Sequence, residues 1–277
     1  MENFWRLPMK KTYLLASASA LLLSVAPVAA QDAALVELNL NYMNLATASG
    51  NDGDFDNAAV GVLNGQGFFR TGDFVIELQG TTTTSVDDTD NAENSTSFGV
   101  VGHYMLPYRN GTAGLAFGLQ GGTNVEESDG AIYSLAALNY AENNWMVGLG
   151  ATGVVYGQRG DDQVTALGYL QGAYDFDVAP DMSVRVGGYL GLGQTSDDTV
   201  HAGELSATLY RDFSDTMAGH VGVSAFALQT DSKQANGWSI NAGISIAIGG
   251  SNSGVRDSIP FDTPNLHREM TWADEAL

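Results

Sequence analysis

From residue 33 onward the chain alternates, position by position, between apolar side chains and small or polar ones. The last run shows it best. Trp238, Ile240, Ala242, Ile244, Ile246 and Ile248 share one parity; Ser239, Asn241, Gly243, Ser245 and Ala247 share the other. A strand sends successive side chains to opposite faces, so this spacing predicts one apolar face and one small, polar face. Elsewhere Phe74, Ile76 and Leu78 oppose Glu77 and Gln79, and Leu115, Phe117 and Leu119 oppose Gly114, Ala116, Gly118 and Gln120. Trp145, Val147 and Leu149 oppose Gly148, Gly150 and Thr152; Val184, Val186, Leu190 and Leu192 oppose Ser183, Arg185, Gly187 and Gly191. Segments near 59–69, 131–140, 164–174 and 218–228 are less clean, because both of their faces are fairly apolar.

Polar breaks separate these runs, and they alternate in character. Residues 46–57, 84–96, 124–130, 157–163, 194–199 and 230–237 are dominated by Asp, Glu, Asn, Gly, Ser and Thr. Between them fall turns near 70–73, 107–112, 141–144, 175–181 and 211–216. Aromatics flank several of these turns: Phe68 and Phe69, Tyr104 and Tyr108, Tyr140 and Trp145, Tyr174 and Phe176, Tyr210 and Phe213. Tyr and Trp favour a membrane interface, where an apolar ring and a polar tip are both satisfied. Six loops and five turns imply about twelve strands.

The second face decides what kind of sheet this is. A soluble sandwich packs its apolar face inward and shows Lys, Glu, Thr and Arg to water. Here the opposite face is poor in charge and rich in Gly, Ala, Ser, Asn and Gln, which suits an enclosed space of limited width. The predicted fold is therefore all-β: a transmembrane, antiparallel, up-and-down β-barrel over residues 33–249, apolar side outward. Closure satisfies every backbone group and leaves no edge for lipid to reject. No stretch after residue 30 approaches the roughly 18 apolar residues of a membrane-spanning helix.

Residues 1–30 read as a secretory signal. Lys10 and Lys11 precede an apolar run from Tyr13 to Val25, and Val28, Ala29 and Ala30 supply a small-residue cleavage site. The polar stretch 250–277 reads as a periplasmic tail. Its Pro260, Pro264 and Gly/Ser/Asn start suggest a mostly flexible linker, with a short helix over 266–277; partner binding or plugging of the lumen is the alternative.

The composition narrows the function. The formal charge is −21, and signal cleavage would remove three bases but only one acid. Such a surface repels nucleic acid, whose binders need basic patches. With no cysteine, disulfides and thiolate metal sites are both ruled out. Acid pairs at Asp87-Asp88, Glu126-Glu127, Asp161-Asp162 and Asp197-Asp198 lack the regular spacing of a calcium loop, so solvated loops are expected. No metal or cofactor site is expected.

The chain resembles the Gram-negative outer-membrane β-barrel superfamily, porin-like members included. Asn241-x-Gly243-x-x-Ile246-x-Ile248 looks like the signal by which the barrel-assembly machinery recognises a last strand, although the family usually ends it in a terminal aromatic. The resemblance implies outer-membrane lipid and lipopolysaccharide as surroundings, acidic loops outside, and both termini in the periplasm. It leaves the oligomeric state open.

Alternation places Glu37, Glu77, His103, Arg185, Glu204 and His220 inside the lumen. Rings of charge select ions in pores, so these six are the constriction candidates, and three acids against one arginine favour cations. The competing reading has them hydrogen-bonded to one another and to Asn39, Asn41, Asn139 and Gln171, stiffening the wall. No Gly-x-Ser-x-Gly nucleophile elbow is present, and the expectation is a channel rather than an enzyme. The alternative is a non-conducting structural or adhesive barrel working through its acidic loops. Met43, Met105, Met146, Tyr156 and Tyr189 could fill the interior.

Overall fold

The computed structural model describes residues 32–49, 55–85, 95–124, 130–157, 164–195, 197–231, 234–259, 261 and 263–264. The signal segment 1–30, the tail beyond residue 264 and three of the four acid pairs lie outside the described residues. The fourth, Asp197-Asp198, sits in a tight turn where Thr195 Oγ1 accepts both backbone amides, at 3.2 and 2.9 Å.

Twelve strands form the protein: β1 (Ala33–Ser49), β2 (Phe55–Thr71), β3 (Phe74–Ser85), β4 (Ser95–Tyr108), β5 (Gly111–Asn124) and β6 (Gly130–Glu142) make one half. The other half is β7 (Trp145–Gly157), β8 (Ala166–Ala179), β9 (Met182–Gln194), β10 (Thr199–Ser214), β11 (Met217–Gln229) and β12 (Gln234–Ile248). Each pairs antiparallel with its sequence neighbours, and β1 pairs with β12 to close the barrel. The strands run further than the alternating runs suggest, because ladder hydrogen bonds carry them into the polar breaks.

The outer surface is apolar. Leu190 is 71% exposed, Leu40 67% and Phe117 64%, and Ile76, Leu149, Leu205, Ile240 and Ile244 point the same way. Water would not support so many large apolar side chains on one continuous band, but hydrocarbon does. Near the short turns, Tyr108, Tyr140 and Trp145 stack in series, and Phe74 packs on Tyr104 and Tyr174 on Phe176. These rings form an interfacial belt at the short-turn end.

One inward assignment fails. Tyr156 is 74% exposed and faces outward, not into the lumen. The register slips between Ile132 and Tyr133 on β6, which pair with Tyr156 and Val154, so Val155 is the extra residue. An extra residue reverses every side chain beyond it. Met43, Met105, Met146 and Tyr189 are buried inside.

The short turns are two-residue connections. Arg109 holds φ 55°, a left-handed conformation that bulky residues adopt at a cost and asparagine adopts more readily. Arg109→Asn relieves part of a left-handed penalty of roughly 1–2 kcal/mol and gives up the contact of Arg109 with the Tyr108 ring, so a modest net stabilisation is expected, read as a higher urea midpoint of the folded, heat-modifiable band.

Beyond β12 the chain does not trail away. Gly249, at φ 87°, bends it toward the lumen, and α1 (Asn252–Ser258) follows, capped by Ser251. Val255, Ile259 and Phe261 are buried against Leu35, Phe68, Val75, Met105 and Met146. The sequence marks this stretch as a flexible linker; the structure instead orders residues 251–259, 261, 263 and 264 within the short-turn end of the barrel. The sparse apolar residues of the tail give no periodic signal, and their burial depends on a concave wall that only closure creates.

Candidate functional site: the lumen

All six charged candidates lie on the inward face, but they divide into different environments. Glu77 is 0% exposed. Its Oε1 accepts from Gln66 Nε2 at 2.7 Å and from Gln79 Nε2 at 2.5 Å. Its Oε2 takes His103 Nε2 at 2.8 Å and the hydroxyl of Thr263 at 2.6 Å. Gln120 Nε2 in turn donates to Gln79 Oε1 at 3.1 Å. His103 Nε2 faces an acceptor-only carboxylate oxygen and so donates to it, while Nδ1 is buried with no hydrogen-bond partner among the described residues. A carboxylate with four donors and no exposure is a hydrogen-bonded node of the wall.

His220 is also buried and hydrogen-bonded within the wall. Its Nε2 pairs with Asn39 Oδ1 across the seam, and its ring packs against Tyr210, centroids 5.3 Å apart. Gly243 makes room for this pair: a Cβ there would lie 2.4 Å from His220 Nε2. Glu37 is buried on the inward face of β1. Gln171 Nε2 donates to Asn139 Oδ1 at 3.1 Å.

Arg185 and Glu204 differ, because both line open space. A cavity of about 360 Å³ occupies the middle of the lumen, walled by Asn41, Asn64, Gln171, Arg185, Glu204 and Asn241 among others. A second, of about 260 Å³, lies at the short-turn mouth and shares Met146, Arg185 and Tyr210 with the first. The mouth carries Asp175, Asp177, Asp181, Asp212 and Asp257 against Arg185 and Arg256. Arg185 is partly compensated by Asp175, 3.7 Å away, while Arg256 lies over the Tyr210 ring at 4.1 Å. Desolvation beside the mouth, with Asp175 and Asp177 nearby, holds the Asp257 carboxyl above its ordinary range; Arg256 and Arg185 oppose the shift.

Apolar side chains close in above and below. Toward the long loops, Tyr133, Leu135, Leu167, Tyr169, Val200 and Leu228 pack across the lumen, with Met43, Val60, Val62 and Phe226 on the β1–β2 side. At the short-turn end the tail residues Val255, Ile259 and Phe261 do the same. Among the described residues no group of acidic and histidine side chains is arranged to hold a metal ion.

Gln79 and Gln120 were visible in the sequence on the polar face of their strands. The mouth aspartates and Thr263 were not: Asp175, Asp177 and Asp212 sit where β8 and β10 run on into stretches that the sequence marks as turns, and turn and tail residues such as Asp181 and Thr263 have no fixed facing until the barrel closes.

No protein-family model matches the chain, and no curated protein matches it. Solved structures do. An outer-membrane channel from Pseudomonas putida F1 is 15% identical, with a TM-score of 0.55 over 80% of this chain and 97% of that one. The chain has the fold of an outer-membrane β-barrel. The NanC porin is 11% identical, covering 76% of this chain and 98% of its own, at a TM-score of 0.48. The barrel described above, with its apolar outside and polar interior, agrees with that assignment on independent physical grounds.

Proposed function

We propose that this outer-membrane barrel is a porin-like channel for small hydrophilic solutes or ions, with a preference for cations. The observation that carries the reading is the polar cavity inside an apolar shell. Amide, hydroxyl and charged side chains line the central space, and a second cavity beside it opens at a mouth where five aspartates face two arginines. Fixed charges of one sign at a narrow entrance concentrate ions of the other. In this reading the protein sits in a Gram-negative outer membrane, long acidic loops outside and both termini in the periplasm. The turn-side aromatic belt and the acidic long loops support that orientation.

Planar-bilayer recording of purified, folded protein under a salt gradient tests it. Of the two candidate acids of greatest interest, Glu204 faces the cavity and Glu77 does not. Glu204→Gln is therefore expected to move the reversal potential toward zero. A partly screened charge interaction of about 0.5 kcal/mol corresponds to roughly a twofold loss of cation preference. An unchanged reversal potential would remove Glu204 from the conduction path.

A specific observation favours a second reading. The apolar packing at both ends of the lumen suits a non-conducting structural or adhesive barrel, which would give a silent bilayer trace even with the tail displaced. A lipid-modifying enzyme would have to show hydrolysis that is lost with one histidine.

A further inference from the structure

We propose that the lumen wall carries a receptor site for the chain's own C-terminal segment, and that this segment is a releasable plug controlling passage through the barrel. The control half of the proposal rests on the channel reading above; the receptor half does not.

The seat is shaped for its occupant. Gly114 on β5 has no side chain where the Phe261 ring lies, and a Cβ there would come 2.4 Å from Phe261 Cε2. Beyond the ring, Thr263 donates its hydroxyl to Glu77 Oε2 and receives Gln79 Nε2 on its carbonyl at 3.2 Å. Arg70 Nη1 donates to the carbonyl of Ser258 at 2.7 Å, and Ser245 and Asn252 hydrogen-bond at the base of the segment. Both ends of the segment are thus held by side chains of the wall.

The same contacts can be given up without exposing a bare charge. The ladder that closes the barrel runs between β1 and β12 and uses no residue after Ile248. When Thr263 leaves, Glu77 keeps Gln66, Gln79 and His103 as donors. The carboxylate that anchors the plug is therefore satisfied in either state, as a docking site requires and a fixed pillar does not. The segment also stands where it can act. Thr263 and Pro264 wall the central cavity, while Ser253, Arg256 and Asp257 wall the mouth cavity. Withdrawal would join the two spaces and widen the opening.

The test uses the full-length protein, which has no native cysteine. Pro264→Cys places a thiol on the plug, and a maleimide carrying a polymer too bulky for the lumen reports its release. Thr263→Val, nearly isosteric, and Phe261→Ala loosen the seat, with heat-modifiable mobility confirming a folded barrel in each case. The expected result is slow labelling in the Pro264→Cys parent, at least tenfold faster labelling with Thr263→Val and Phe261→Ala together, and a several-fold rise in bilayer conductance for the loosened protein.

Fast labelling of the parent overturns the receptor site, whatever the conductance. Equally slow labelling in parent and loosened variants overturns release and makes the segment a fixed pillar. Faster labelling with an unchanged, nonzero conductance overturns control while leaving the channel reading intact. Faster labelling with a silent trace in both proteins removes the channel reading, and control with it.

Discussion

Glu77→Ala is expected to cost the barrel about 3–5 kcal/mol of stability, the range seen when one partner of a buried, charged hydrogen-bonded group is removed. Glu77 is the acceptor for Gln66, Gln79, His103 and Thr263, and no solvent reaches it to replace the lost bonds. Each donor stranded by the substitution costs about 1–3 kcal/mol unless it finds a new acceptor. Gln79 retains its bond from Gln120, which limits the spread of the damage. Glu77→Gln keeps the shape and one acceptor oxygen, so its cost should be smaller. The measurement is the urea midpoint of the heat-modifiable band in detergent or lipid, with parent and variants side by side. A loss below about 1 kcal/mol for the alanine variant would mean that the node is wet or dispensable, and Glu77 would return to the list of charges open to the lumen.

Gly243→Val should abolish folding outright. A Cβ at this position lies 2.2 Å from the backbone carbonyl of Leu38, 2.4 Å from His220 Nε2 and 2.7 Å from Asn39 Oδ1. The first of these is the rigid part of the neighbouring strand, in the β1–β12 seam where Gly243 faces Asn39. A side chain could give way; the strand cannot without opening the seam, and an open seam exposes unpaired backbone to lipid. Refolding purified, urea-denatured chain into detergent separates this steric effect from recognition by the assembly machinery, which is absent from the tube. The expected outcome is no heat-modifiable band for Gly243→Val. Ala242→Val, one residue away on the lipid-facing side, should fold with a stability change within about 0.5 kcal/mol. Normal refolding of Gly243→Val would show that the seam adapts, and would shift the weight of the last-strand motif from packing to recognition.

The two substitutions also mark how far the sequence could be read. Gly243 stood out as part of a short pattern in the final run, but its steric reason is the Leu38 carbonyl on the strand across the seam, with the His220–Asn39 pair, two residues 181 positions apart, beside it. Glu77 and His103 were both assigned to the inner face by alternation, yet nothing in their spacing said that one would saturate the other. The same alternation put Arg185 and Glu204 inside, and these two reach open space because glycines surround them: Gly187 and Gly188 line the central cavity beside them. Tyr156 departs from the alternation of its own strand, since one extra residue at Val155 reverses the facing of what lies beyond it.

The sequence by itself determined the architecture. Alternation with a period of two is a local property of each strand. An apolar outer face with small polar neighbours leaves a closed barrel in lipid as the arrangement that satisfies both side chains and backbone. A count of about twelve strands, the facing of most positions and the alternation of loops with short turns follow from that. Only the tertiary structure decided what fills the barrel. Contacts across the lumen depend on how the strands are staggered on closure, and the course of residues 249–259, 261, 263 and 264 depends on a hollow that exists only once twelve strands have met. Non-periodic residues such as Phe261 and Thr263 carry no facing of their own; the closed wall assigns it to them.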